Sequence, residues 1–247
     1  MLALPYLVEI SGIFVVAGAV KGMIGMGLPT VAIGVLGLTM TPAQAAAILV
    51  LPTLVTNIWQ TVAGGAFLRL LARLWPMFGA IFVGAWIGAV VLHSVASPWA
   101  TTALGSVLVI YSLLGLSNVH FTVPASAEFW LAPLVGIVNG IVSVATGVFS
   151  LPALFYLNGL KLKRDELVQS LGMLFTISTV ALALALMHGG ILRSSAILPS
   201  SLALAGSLIG MFLGQKVRGR VKPELFRKIF LIGLLLLGAH LALRGIL

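Results

Sequence analysis

The chain has no cysteine and only five acidic residues in 247. The first absence excludes a disulfide framework, a thiolate metal site and a cysteine nucleophile. The second leaves too few carboxylates for an intramembrane acid–base or metal constellation. Charge of either sign is scarce, at 8% of residues, where soluble domains carry about 25%. Such a composition cannot make a water-facing surface, which excludes a soluble enzyme, a secreted module and a disordered tail. No G-x-x-x-x-G-K-S/T phosphate loop is present, so any energy input must come from a gradient rather than from a nucleotide. His93, His120, His188 and His240 show no ligand spacing, so neither a metal nor another cofactor is expected.

What remains is apolar: 60% of residues are hydrophobic and the mean hydropathy is +1.20. The runs are too long and too uniform for the alternating strands of a β-barrel, so the reading is an all-α integral membrane protein. Hydrophobic stretches cover 6–21, 26–40, 42–63, 71–93, 98–118, 129–144, 147–160, 164–188, 195–215 and 224–245. Six are long enough to cross a hydrocarbon layer of about 30 Å. The other four form two short pairs, each divided by glycine-rich sequence. The first stretch lacks a basic leading region and reads as an uncleaved membrane segment.

A shift of 122 residues superimposes landmarks of the two halves. Gly18, Gly25, Gly37, Gly84 and Gly88 meet Gly140, Gly147, Gly159, Gly206 and Gly210. This is an internal repeat. Repeat 1 is 1–120, with a hairpin at 6–40 and helices at 42–63, 71–93 and 98–118. Repeat 2 is 121–247, with a hairpin at 129–160 and helices at 164–188, 195–215 and 224–245. If each short pair is a Gly/Pro-broken hairpin that returns to its own side, the repeats have inverted topology, each with three further transmembrane helices.

The net charge of +9 is spread over short loops, which reads as a topology signal and not as a nucleic-acid surface. In the hairpin arrangement, Arg69, Arg73, Lys161, Lys163, Arg164, Lys216, Arg218, Arg220, Lys222, Arg227 and Lys228 share one side, against Arg193 and Arg244 on the other. The positive-inside rule then places 64–70, 160–164 and 216–223 in the cytoplasm and both termini outside, in a multi-pass protein of the cell (inner) membrane.

The stretch from Val16 to Thr30, VAGAVKGMIGMGLPT, crowds glycine and proline where a helix interior disfavours both. In lipid, a broken helix persists only where it lines a cavity or packs in protein. The second copy, Asn139 to Pro152, reads NGIVSVATGVFSLP and carries more hydroxyls. This twice-repeated pattern of G-x-x-x-G, glycine-rich break, Pro and small-residue helix resembles the TauE/SafE family of membrane permeases, the sulfite and organosulfonate exporter group. The resemblance covers essentially the whole chain. It implies transport of a small inorganic or organic anion, such as sulfite, a sulfonate or a small carboxylate, with export the favoured direction.

The residues point the same way. Lys21 lies at the first hairpin tip, and an ionisable residue within a membrane segment is a functional candidate. Gly22, Gly25 and Gly27 open the backbone around it, and Thr30 follows the break. Half-helices starting near Met26 and Gly147 would direct their positive N-terminal ends at the tip. On the 42–63 helix, Thr53, Thr56, Asn57 and Gln60 share one face. Asn139, Ser143, Thr146, Gly147 and Ser150 form the matching polar set at the second break, with Thr176 on the 164–188 helix. Together they describe an anion site near the bilayer midplane between the repeats. With no second cation evident there, a singly or weakly charged small anion is preferred.

The expected partners are the small anion, the lipid bilayer and a coupling proton or sodium ion. The Gly84/Gly88 and Gly206/Gly210 faces leave open a homodimer as well as packing within the chain. An anion channel and a non-transporting membrane assembly subunit are the competing functions. Flux that saturates and couples to a second ion separates a carrier from a channel.

Overall fold

The computed structural model describes residues 4–91, 99–117, 122–192, 194–218 and 222–244. It is all-helical: α1 (Leu4–Ile24), α2 (Leu28–Leu36), α3 (Pro42–Val62), α4 (Phe67–Val91), α5 (Ala100–Leu116), α6 (Ala125–Thr146), α7 (Ala153–Gly159), α8 (Arg164–His188), α9 (Ile197–Val217) and α10 (Pro223–Arg244), with a single 3₁₀ turn before α9. Among the described residues, seven helices are long and apolar enough to cross a membrane. Exposed Trp59, Trp75, Trp86, Trp99 and Trp130 lie on the outside, as lipid-facing aromatics do. His93, His120, Arg193 and Arg220 fall outside the described residues.

Two expectations about helix length need correction. The stretches at 6–21 and 129–144 are not short helices; they are the cores of α1 and α6, both of spanning length. Conversely, the 98–118 stretch yields α5, at 17 residues shorter than the seven. The reason lies in packing. Gly18 and Gly22 do not break α1, because a methyl at either would strike the backbone carbonyl of Ser207 or Met211 on α9. They are helical contact points. The break waits for Gly25 and Gly27, whose φ values of 81° and 98° suit glycine. In the second copy, Gly147 ends α6 in the left-handed region. The returning helices therefore begin at Leu28 and Ala153, later than expected near Met26 and Gly147.

The helices pack in pairs. α1 lies along α9, α4 along α6, α3 along α8 and α5 along α10. In the first two pairs glycines bring the backbones together: a methyl on Gly210 would collide with the Val15 carbonyl, and one on Gly84 with that of Ile137. Both G-x-x-x-G faces are thus occupied within the chain, the alternative left open by the sequence. A core of Phe14, Phe149, Phe175 and aliphatic side chains fills the centre.

Contacts between connections define two ends. Ala63 and Gly64 line a cleft with Asp165 and Arg218, Arg69 pairs with Glu166, and Arg73 makes a two-pronged pair with Glu128 at 2.6 and 2.7 Å. At the other end, Thr39 donates to Glu9 and Arg244 Nη1 donates to the Leu38 carbonyl at 2.6 Å. After the break, α2 packs against both α1 and α3. Thr41 then starts α3 as a capping box: its hydroxyl accepts from Gln44 N and its own N–H donates to Gln44 Oε1.

Gln169 holds the turn that follows α3. Its oxygen accepts from Ala66 N at 2.9 Å, and its amide nitrogen donates to the carbonyls of Thr61 (2.7 Å) and Gly64 (2.8 Å). Replacing it by Leu orphans three backbone groups, each worth about 1–3 kcal/mol when buried. Gln169→Leu is expected to lower the melting temperature of the detergent-purified protein by several degrees. An unchanged melting temperature would contradict this role.

Candidate functional site

The fold brings the first break and the α3 polar face together. Gly18 and Gly22 seat one side of α1 on α9. Lys21, displaced by ~100° around the helix from Gly22, faces α3 instead. Its ammonium donates to Thr56 Oγ1 at 3.1 Å and to Asn57 Oδ1. Lys21, Thr53, Thr56 and Asn57 are all buried. Thr56 is held in turn by donating to the Pro52 carbonyl at 2.8 Å.

Two polar atoms here have no partner: Thr53 Oγ1 and Asn57 Nδ2. An unsatisfied buried donor costs about 1–3 kcal/mol. Among the described residues, Lys21 forms no ion pair; its partners are neutral acceptors. Lys21 and Thr56 line a cleft of about 340 Å³ that opens at the loop end, between α1, α3, α8 and α9, while Thr53 and Asn57 lie outside its lining. Gly25, where a methyl would meet open space, lines it. Arg218 and Asp165 line it too, so the cleft holds a second cation and a carboxylate that sequence spacing did not place there.

Other expected residues are used differently. Gln60 borders the cleft, but its amide donates to the Val168 carbonyl on α8 at 2.8 Å. Thr176 donates to the Gly172 carbonyl and lies 3.4 Å from the Thr61 hydroxyl, which joins α8 to α3. Gly27 sits against Val20 and Phe230, outside the cleft lining.

At the second break, Asn139 closes the chain on itself. With its amide oriented to satisfy its neighbours, Nδ2 donates to the carbonyls of Phe149 (3.0 Å) and Leu151 (2.9 Å), and Oδ1 accepts from Ser178 Oγ (3.2 Å). Ser143 donates to the Asn139 carbonyl, and Thr146 links the Val142 carbonyl to Val148 N. The two breaks meet where Thr30 and Ser150 hydroxyls approach to 3.3 Å and Gly147 lies against Ile33.

The two breaks therefore differ chemically. Under the 122-residue shift, Lys21 corresponds to Ser143, and Thr56 and Asn57 to Ser178 and Thr179. The second set is neutral and satisfied within itself; the first holds a cation and two unused polar atoms. Ser178, Met211, Gln215 and Arg218 are the contributors that sequence reasoning missed. The repeat offset pointed to Ser178; nothing local pointed to the α9 residues, which arrive through its glycine packing on α1.

In comparison with known families, the family described as "Sulfite exporter TauE/SafE" matches residues 10–241. Searches of curated proteins and of solved structures gave no match.

Proposed function

Since the chain belongs to the TauE/SafE family of membrane permeases, we propose that the small anion this transporter carries is held at the Lys21 cleft, and that it is sulfite, an organosulfonate or a small carboxylate moved outward by a secondary mechanism. The observation that carries this reading is the buried Lys21 ammonium, bound only to Thr56 and Asn57 and adjoining the unpartnered Asn57 Nδ2 and Thr53 Oγ1. An anion at that point would complete the ammonium's charge and take hydrogen bonds from groups that have none. Hydroxyls and amides suit a compact oxyanion with several acceptor oxygens.

Inverted repeats make the site an interface between halves. This is supported by the pairing of helices, because exchanging repeat 1 for repeat 2 turns the α1–α9 pair into α6–α4 and leaves α3–α8 and α5–α10 unchanged. Basic residues concentrated at the cleft end support a cytoplasmic opening there, with both termini outside. Thr53 stands halfway along α3 and Lys21 one turn from the end of α1, so the site extends from the bilayer middle toward that opening. A proton or sodium gradient supplies the energy.

The test pairs binding with flux. Sulfite, isethionate, acetate and chloride are added separately to the purified protein, and the melting temperature is followed. A ligand at a hundred times its Kd stabilises the folded state by about 2.7 kcal/mol, so sulfite or the sulfonate is expected to shift the midpoint upward while chloride does not. In proteoliposomes, flux of the same anion saturates. If no anion shifts the midpoint and none is transported, the proposal fails; non-saturating flux favours a channel.

A further inference from the structure

A second cavity, of about 760 Å³, opens at the opposite end of the bundle. It is bordered by the far ends of the same elements that form the Lys21 cleft: Tyr6 on α1, Gln44, Ala47 and Ile48 on α3, Pro199 on α9, and Gly189 just beyond α8. Two openings facing each other along one four-helix seam are what an alternating path across the protein requires. We infer that the substrate crosses along this seam, and that the far cavity is its second vestibule, with the α3 segment between Ile48 and Thr56 as the barrier. The inference rests on the Lys21 cleft being the anion site.

Three features of that segment support a passage. The barrier is thin: Ile48 and Thr56 are eight residues apart, about 12 Å of helical rise. Its backbone is incompletely bonded, because Pro52 has no N–H to offer the Ile48 carbonyl, and Ile48 borders the far cavity. Its one hydroxyl between the cavities, Thr53 Oγ1, is fully buried and unpartnered. One turn on, Asn57 Nδ2 is unpartnered as well. A merely structural helix gains nothing from such groups. A helix along which a polar solute passes outward uses them in turn, first at Lys21 and Asn57, then at Thr53, then at the far cavity.

The chain has no native cysteine, so single cysteines report access directly. Ala47→Cys, Thr53→Cys and Gln60→Cys are made in the full chain and exposed, in sealed vesicles of each orientation, to a membrane-impermeant methanethiosulfonate that carries a sulfonate. Ala47→Cys is expected to react from one side, Gln60→Cys from the other, and Thr53→Cys from both as the protein alternates. Reaction of Thr53→Cys from one side or from neither overturns the route, as does reaction of Ala47→Cys and Gln60→Cys from the same side. Thr53→Val keeps the shape and removes the hydroxyl. It is expected to slow sulfite flux about tenfold, the size of one hydrogen bond to a charged group, with no fall in melting temperature. Wild-type flux in Thr53→Val counts against the route. The site reading is separable: if Lys21→Met transports normally while Thr53→Cys reacts from both sides, the route stands and the anion site is elsewhere. If Lys21→Met is inactive and Thr53→Cys is unreactive, the route alone falls. If sulfite is not a substrate, the labelling pattern decides.

Discussion

Lys21→Met is expected to reduce anion transport at least a hundredfold while leaving the protein folded. Methionine keeps an unbranched stem of similar length and removes only the ammonium. The lost interaction is that of an anion with a buried cation, and each 1.4 kcal/mol of it is tenfold in affinity. Stability should move the other way or not at all. A buried ammonium costs several kcal/mol to desolvate, and here the return is two hydrogen bonds to neutral groups, Thr56 Oγ1 and Asn57 Oδ1. Transport and melting temperature should therefore separate. Lys21→Arg should retain part of the activity, since the charge persists but a planar fork replaces a compact point charge. A lysine whose ammonium serves only to reach polar surroundings, as long side chains near helix ends do, could be replaced by methionine at no cost to flux. Wild-type flux in Lys21→Met would establish that role.

The second large effect is on assembly of the bundle. Gly84→Ala and Gly210→Ala are each expected to cost about 3 kcal/mol, at the upper end of the usual overpacking penalty. The added methyl meets a backbone carbonyl, Ile137 for Gly84 and Val15 for Gly210. A carbonyl within a helix cannot turn aside as a side chain can, so the whole helix must move. Gly79 lies on the same helix as Gly84, but a methyl there meets nothing within 4 Å. Gly79→Ala should be neutral or slightly stabilising, because alanine favours helix by up to about 1 kcal/mol over glycine. Thermal unfolding of the three variants, measured side by side, checks the contrast. Equal melting temperatures in Gly84→Ala and Gly79→Ala would show that α4 and α6 are not held as closely as described.

Closeness of this kind also explains why α1 outruns its expected end. Glycine in a helix is unfavourable when the helix is considered alone, so Gly18 and Gly22 suggested a break. Against α9 the same residues are what permits contact, and the contact stabilises the helix through them. Only Gly25 and Gly27, with positive φ, carry the real interruption.

The apolar composition alone determined that this is a helical membrane protein, because the bilayer leaves few other ways to satisfy a backbone. The repeated glycine–proline pattern led to the TauE/SafE family, which the match over 10–241 shows. The face of Thr53, Thr56, Asn57 and Gln60 was legible too, since helical periodicity is a local property. Which members of that face remain available was decided only by tertiary structure. Gln60 is taken by Val168, while Asn57 keeps a free donor beside Lys21, 36 residues earlier in the chain. Satisfaction of a polar group depends on the neighbours that packing supplies, and spacing along the chain carries no record of them. The same holds for Arg218, which reaches the Lys21 cleft only because glycines let α9 lie against α1.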